Sequence, residues 1–409
     1  MLFLLGKEVE LMAKSPLTAI ERAAKASTVR NGSRILKRAT PSKEFLHSRK
    51  WKRIRNILLF ILGLELFLFS LNFRTGNNDF IPAETWTNLK AMFSLPFRSL
   101  FDSTFDAETV RESLPYYTET VARFKLSTIA FLSGVIICVG GTMFQTIFKN
   151  PIASPNMLGV STGVSFGNIL FILTYQASAL SHYTTRYLYC YFSAAVLVFI
   201  AFFAGKLSGK RLGGFSVEGT IIAGMMISHI GGVFMQYFQI RLMEDETGLV
   251  EIYRTLASGD TLYQDDATVI VFLVLTTLTI IPMLFLRFRF NAVAFDDMEM
   301  KAMGINNGRL RAIGLILGSL MATVAIIHCG DVGFLCMVIP FMMRDRLQTE
   351  FGEVAYLSGM LGGFFSLLVR VIISIFNAGG MVVPAGVITT LVLLPLFIFT
   401  LIRRGSVFA

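Results

Sequence analysis

The sequence predicts an all-α polytopic membrane protein of about ten transmembrane helices, and three observations carry that expectation. Of its 409 residues, 54% are hydrophobic and only 16% are charged, whereas a soluble domain lies nearer half apolar and a quarter charged. Apolar runs recur along the chain at lengths suited to a hydrocarbon core of about 30 Å, which takes roughly 20 helical residues to cross. Lys and Arg gather in alternate connecting loops, the bias that orients spans in a bilayer.

Residues 1–53 are expected to form a basic tail. The first 55 residues hold fourteen Lys/Arg and four Glu, a balance of +10 that equals the net charge of the whole chain. Retention on the cytoplasmic side explains this without nucleic acid. The transmembrane domain is expected over 54–404, with spans at 54–73, 124–147, 157–176, 187–205, 217–238, 268–287, 310–328, 353–376 and 384–402. A tenth segment, 331–343 ("DVGFLCMVIPFMM"), is short and holds Pro340. Backbone facing lipid must satisfy its own hydrogen bonds, so this piece is either buried among other helices or runs with its polar end in a cavity.

With the tail inside, the inner loops carry Lys149, then Lys206, Lys210 and Arg211, then Arg287, Arg289, Lys301, Arg309 and Arg311, then Arg344 and Arg346, and finally Arg403 and Arg404. The outer loop 74–122 has four basic and seven acidic residues, and 241–266 has two and seven. Both termini are therefore expected in the cytoplasm. In the extracytoplasmic loop 79–122, Trp86, Phe93, Phe97 and Phe101 suggest short interfacial helices, and 250–260 ("VEIYRTLASGD") suggests a short helix beneath the outer mouth.

Between the second and third spans stands "KNPIASPN", residues 149–156. Pro151 and Pro155 lack backbone donors and push their predecessors out of helical geometry, so two helices must end and restart there, at the inner surface. The third span repeats Gly159, Gly163 and Gly167, a side-chain-free face for close packing. Gly359 and Gly363 repeat the device in the ninth. Between spans six and seven, 294–305 reads as a short amphipathic helix: Phe295, Met298, Ala302 and Ile305 share one face, and Asp296, Asp297, Glu299 and Lys301 point elsewhere. Gly304 and Asn306-Asn307-Gly308 can stop it and turn the chain. Such a helix either lies on lipid or forms a knob for a cytoplasmic partner, and its acidic polar face favours the partner.

Sites of other kinds are missing from the sequence. "GKLSGKRLGG" lacks the spacing of a phosphate loop. No His/Cys set has metal spacing, and Cys138, Cys190, Cys329 and Cys336 all fall in apolar runs. Glu65 is a membrane-embedded acid and so a functional suspect or a subunit contact. No catalytic constellation is visible.

The stretch "GGTMFQTIFKNPIASPNMLGVSTGVSFGN" resembles the FecCD-type permeases, membrane subunits of ATP-driven importers for iron–siderophores, haem and cobalamin. Gly141, Gln145, Asn150, Pro151, Ala153, Pro155, Leu158, Gly159, Val160 and Gly163 match that family's pattern. "KAMGINNGRLR", "GDVGFLCMVIPFMMR" and "VPAGVITTLVLLPLFIFTLIRR" extend the resemblance over about 120–404. Departures are Ile339-Pro340-Phe341 where the family has Val-Pro-His, "GGMVVP" where it has Glu-Leu-Pro, and "YRTLASGD" where a Trp and Gly-Ser are usual.

The resemblance implies a multi-pass permease of the cytoplasmic (inner) cell membrane, importing iron–siderophore, or alternatively haem or cobalamin. It implies a second permease copy or paralogue, two cytoplasmic ATPases that hold the ATP and Mg, and an extracytoplasmic solute-binding protein. This chain itself binds no cofactor or metal. By the same resemblance, Asp296, Asp297, Met298, Glu299, Lys301, Ala302 and Gly304 form the helix that couples to the ATPase. Arg123, Lys125 and Arg370 stand where the binding protein docks. Val217 and Glu218 align with the inner gate, where the glutamate has Lys210 or Arg211 as an alternative partner. Two rival classes remain: an ion-driven secondary transporter, for which Glu65, His229 and His328 are the only relay candidates, and a membrane enzyme.

Overall fold

The computed structural model describes residues 49–72, 82–101, 117–175, 183–209, 216–244, 249, 252–253, 256, 266–295, 297–347, 350–377 and 384–408. The basic tail up to 48, the loop 102–116, Lys210, Arg211 and Asp296 lie outside these. The chain divides into two units, Met1–Leu62 and Gly63–Ala409, with the boundary inside the first helix.

The described elements are all helical: α1 (Arg49–Asn72), α2 (Pro82–Phe101), α3 (Tyr117–Ile147), a 3₁₀ turn (Pro155–Leu158), α4 (Val160–Tyr175), α5 (Tyr183–Gly209), α6 (Val217–Glu244), α7 (Asp266–Asn291), α8 (Asp297–Ala302), α9 (Asn307–Cys329), α10 (Gly333–Leu347), α11 (Phe351–Asn377) and α12 (Ala385–Phe408). Among the described residues, seven helices are long and apolar enough to cross a membrane, and two more, Val160–Tyr175 and Gly333–Arg344, are apolar but shorter. With α1, they occupy the ten predicted segments. The outer loop departs from expectation: one helix of 20 residues, α2, replaces several short ones. Trp86 and Phe93 are exposed on it, and Asn88 Nδ2 donates to Thr120 Oγ1 on α3 at 3.2 Å.

α3 is the axis of the bundle. It runs for 31 residues, and 72% of its apolar window is buried, against 11% for α6. Its neighbours are α9, α10 and α11. Such close approach requires missing side chains. A Cβ on Gly134 would meet the Gly362 carbonyl of α11, and one on Gly141 would meet the Cys336 carbonyl of α10. Gln145 Nε2 then donates to the Met337 carbonyl at 2.9 Å, bonding α3 to α10 across the same seam.

α4 and α10 have 16 and 15 residues, so each runs only about 24 Å or less at 1.5 Å per residue, short of the hydrocarbon core. Both start inside the bundle. Asn156 Nδ2 donates to Asp331 Oδ1, on the turn between α9 and α10, at 3.3 Å. Ser228, three turns into α6, reaches the Gly224 carbonyl at 2.9 Å and the Asn156 carbonyl at 3.4 Å. The elbow expected at the inner surface therefore ends α3 there but climbs between the helices before α4 restarts. Pattern alone missed this because the prolines mark where helices break, not at what depth.

Filling the α3–α11 seam tests its role. Gly134→Leu would place a side chain against helix backbone that has nowhere to go, at a cost of about 1–3 kcal/mol or more. The expected result is a lower unfolding temperature in detergent. Gly232→Ala, where a Cβ meets nothing within 4 Å, is expected to be tolerated.

Candidate functional site

The site has a cytoplasmic lever and an internal notch, joined by the elbow. The lever is α8, which has only six residues. It ends in a paired turn: Gly304, at φ +73°, donates its N–H to the Lys301 carbonyl at 2.9 Å, and Ile305 donates to Met300 at 2.9 Å. Glycine suits that left-handed position. Asn306 then caps α9 by accepting from Arg309 N at 3.0 Å.

The expected apolar face is not the buried one. Met300 is fully buried, while Met298 is 79% exposed and Phe295 about half exposed. Glu299, Lys301, Ala302 and Gly304 are exposed too, and the Asp297 side chain lies outside the described residues. One buried methionine thus anchors a turn that presents both apolar and charged groups outward.

Lys149 links the lever to the elbow. It takes a left-handed φ of 49°, uncommon for a residue with a side chain, and so ends α3. Its Nζ donates to the Phe295 carbonyl, just before α8, at 3.0 Å. Beyond it, Asn150 Oδ1 accepts from Ile152 N at 3.1 Å, and Ala153 N returns to the Asn150 carbonyl at 3.2 Å. The 3₁₀ turn opens with Pro155 and closes at Gly159, φ +80°.

Gly163 and Gly167 face α5, where added Cβ atoms would lie 2.5 Å from the Cα atoms of Ala194 and Cys190. The notch lies beside the elbow. A cavity of about 590 Å³ is lined by Asn156, Asp331, Gly333, Phe334 and the start of α12, Pro384 to Thr390 and Leu391.

The expected docking residues are engaged internally. Arg123 is 1% exposed; it pairs with Glu119 at 2.6 Å and donates to the Leu71 carbonyl at 3.0 Å. It is therefore corrected from an outward contact to a buried link between α3 and α1. Arg370, half-buried, meets Ser127 Oγ on α3 at 3.4 Å, and Ser70 donates to the same oxygen at 2.7 Å. Lys125 pairs with the Asp266 carboxylate, which is itself well exposed. Val217 and Glu218 open α6, where Ser216 Oγ accepts from Gly219 N at 3.0 Å; their side chains lie outside the described residues. His328 is buried between the rings of Tyr187 and Phe272, each centred 4.8 Å away, whereas Glu65 and His229 are exposed on other helices. Among the described residues, no group of three His, Cys, Asp or Glu is placed to hold a metal ion.

Sequence reasoning passed over two residues. Asp331 falls between two spans and reads as an ordinary loop acid. Arg186 reads as an ordinary charge at the membrane edge, but it is 2% exposed. Its Nε donates to Asn168 Oδ1 at 2.8 Å, and its NH2 group reaches the carbonyls of Leu256 at 2.9 Å and Ile327 at 3.3 Å. One guanidinium thus ties α4, α5, α9 and the segment at 249–256, where Leu249, Tyr253 and Leu256 are buried at helical spacing.

The FecCD transport family model matches residues 65–403. The chain belongs to the FecCD transport family. This FecCD chain is 27% identical over 315 residues to the Fe(3+) dicitrate transport system permease protein FecC of Escherichia coli, covering 73% of this chain and 89% of that one. It is 25% identical over 303 residues to the molybdate import system permease protein MolB of Haemophilus influenzae, covering 73% and 86%. Its fold is similar to that of a solved transporter assigned to the metal-chelate ABC type, in an inward-facing conformation, with a TM-score of 0.65 at 19% identity over 85% of this chain and 98% of that one. As a member of this family with these spans, the FecCD chain is an integral membrane transport protein.

The Arg186 knot is testable. Arg186→Met strips donors from buried acceptors, at about 1–3 kcal/mol for each one left unsatisfied. Arg186→Lys cannot reproduce the planar fork. Both variants are expected to unfold at lower temperature, and unchanged melting in both would remove Arg186 as a structural tie.

Proposed function

We propose that this chain is the permease subunit of an ATP-binding-cassette importer for iron chelates of the siderophore type. It would form the translocation path with a second permease, with both termini in the cytoplasm. Two cytoplasmic ATPases hydrolyse ATP, and an extracytoplasmic binding protein delivers cargo. The relatives' named cargoes, ferric dicitrate and molybdate among them, support oxyanion or iron-chelate import as the class.

The observation that carries the reading is the Lys149 strut. An ATPase pressing on Met298, Glu299 and Lys301 displaces α8, and the Phe295 carbonyl passes that displacement to Lys149. The elbow beyond Lys149 ends at Asn156, which touches both Asp331 and Ser228 at the cavity. A push on the cytoplasmic face thereby changes the inside of the bundle, as a two-state element biased by nucleotide requires.

Lys125 and Arg370 remain proposed contacts for the binding protein, and Val217 and Glu218 a proposed inner gate. Lys125→Glu is expected to weaken capture of the binding protein in a pull-down, and Glu218→Gln to change cargo leak without ATP; unaltered behaviour removes that residue from its role.

Proteoliposomes holding the assembled importer test the function. Iron-chelate accumulation is expected to need ATP and to fall to background when the ATPase's phosphate-loop lysine is replaced. In Lys149→Met, hydrolysis is expected to persist while uptake per ATP falls several-fold. Cargo moved by this chain with no nucleotide-hydrolysing partner would falsify the reading.

A further inference from the structure

The cavity beside the elbow has a chemical polarity that its part in coupling does not explain. Asp331 Oδ1 accepts from Gly333 N at 2.9 Å and from Asn156 Nδ2 at 3.3 Å. The Asn156 amide is held in turn by Ser161, whose hydroxyl donates to its Oδ1 at 2.8 Å. Two donors therefore fix the carboxylate, and both use the same oxygen. Thr389 and Thr390 send their hydroxyl protons to the Gly386 carbonyl at 2.9 and 2.7 Å, which leaves only lone pairs to offer. The polar side chains lining the cavity thus present acceptors.

Capping α10 accounts for one carboxylate oxygen and not for the charge. An asparagine caps a helix as well as an aspartate does, and an ionised group at this depth is costly and marks a path or a ligand. The N-termini of α10 and α12, both at the cavity, carry positive partial charge. The carboxylate offsets them, and without it the cavity would attract anions.

We infer that Asp331 is a specificity-determining residue of the translocation path, favouring iron chelates that present ammonium or N–H donors, as hydroxamate types do, over polycarboxylate complexes. A donor-bearing face fits a lining of acceptors, whereas a carboxylate-covered one meets unpaired lone pairs and like charge, and specificity is the difference between the two. The inference rests on the proposed import of iron chelates and names the chemical class.

The test uses the assembled permease–ATPase complex in lipid nanodiscs and equilibrium binding of two radioiron probes: ferrioxamine B, a cationic trihydroxamate, and ferric dicitrate, an anion. The natural chain is expected to hold ferrioxamine B more tightly. Asp331→Asn keeps the cap and loses the charge; it is expected to weaken ferrioxamine B binding by about tenfold or more, the weight of one charge-assisted hydrogen bond, without weakening ferric dicitrate. Thr390→Lys places a cation beside the carboxylate without touching the cap, and the same shift is expected there, so the test stands even if the first variant does not assemble. A preference unmoved in these variants, or a natural chain that prefers ferric dicitrate or holds neither probe, overturns the inference. Should ATP-driven uptake persist while the preference stays unmoved, only this inference fails; should uptake need no ATPase, the importer reading fails.

Discussion

Backbone that leaves helical geometry inside an apolar slab must find its hydrogen bonds within the protein, and the elbow between α3 and α4 meets that demand residue by residue. Asn150 turns the chain with its own side chain, Lys149 is held by a carbonyl of the neighbouring segment, and Asn156 is shared among Asp331, Ser161 and Ser228. Because those groups are satisfied locally, α4 and α10 can start inside the bundle and stop short of a full crossing. The cavity between their starts follows from that shortness.

The same economy governs the buried charges. Arg186 and Arg123 lie almost wholly out of solvent, where an isolated cation is costly. Each is held by backbone carbonyls and polar side chains of other elements, and Arg123 by Glu119 as well. Carbonyls at the ends of segments have no intrahelical donor of their own, so an arginine can satisfy several at once through its planar fork. The charge becomes a fastener between helices. The residues expected to meet an external protein are, in Arg123, spent inside, while Lys125 and Arg370 remain half-buried at the periphery.

Close packing supplies the rigidity that such a linkage needs. α3 approaches α11 and α10 where Gly134 and Gly141 carry no side chain, and α4 lies against α5 through Gly163 and Gly167. A helix held on several sides moves as a body. A displacement arriving at Lys149 is therefore passed along the elbow instead of being absorbed by loose side chains.

The sequence by itself determined the solvent, the number of apolar segments, the break at Lys149–Asn156 and the turn at Gly304, because hydropathy, proline and glycine act through the local chain. It also placed a lever after the sixth span. Which face of that lever is buried was decided by one contact, Met300 against the bundle, and a six-residue helix is too short for periodicity to reveal it. Only the tertiary structure decided that Asn156 and Asp331, 175 positions apart, share one notch, and that Arg186 is internal. Depth within a bundle depends on where other helices end, and no local pattern records the end of another helix.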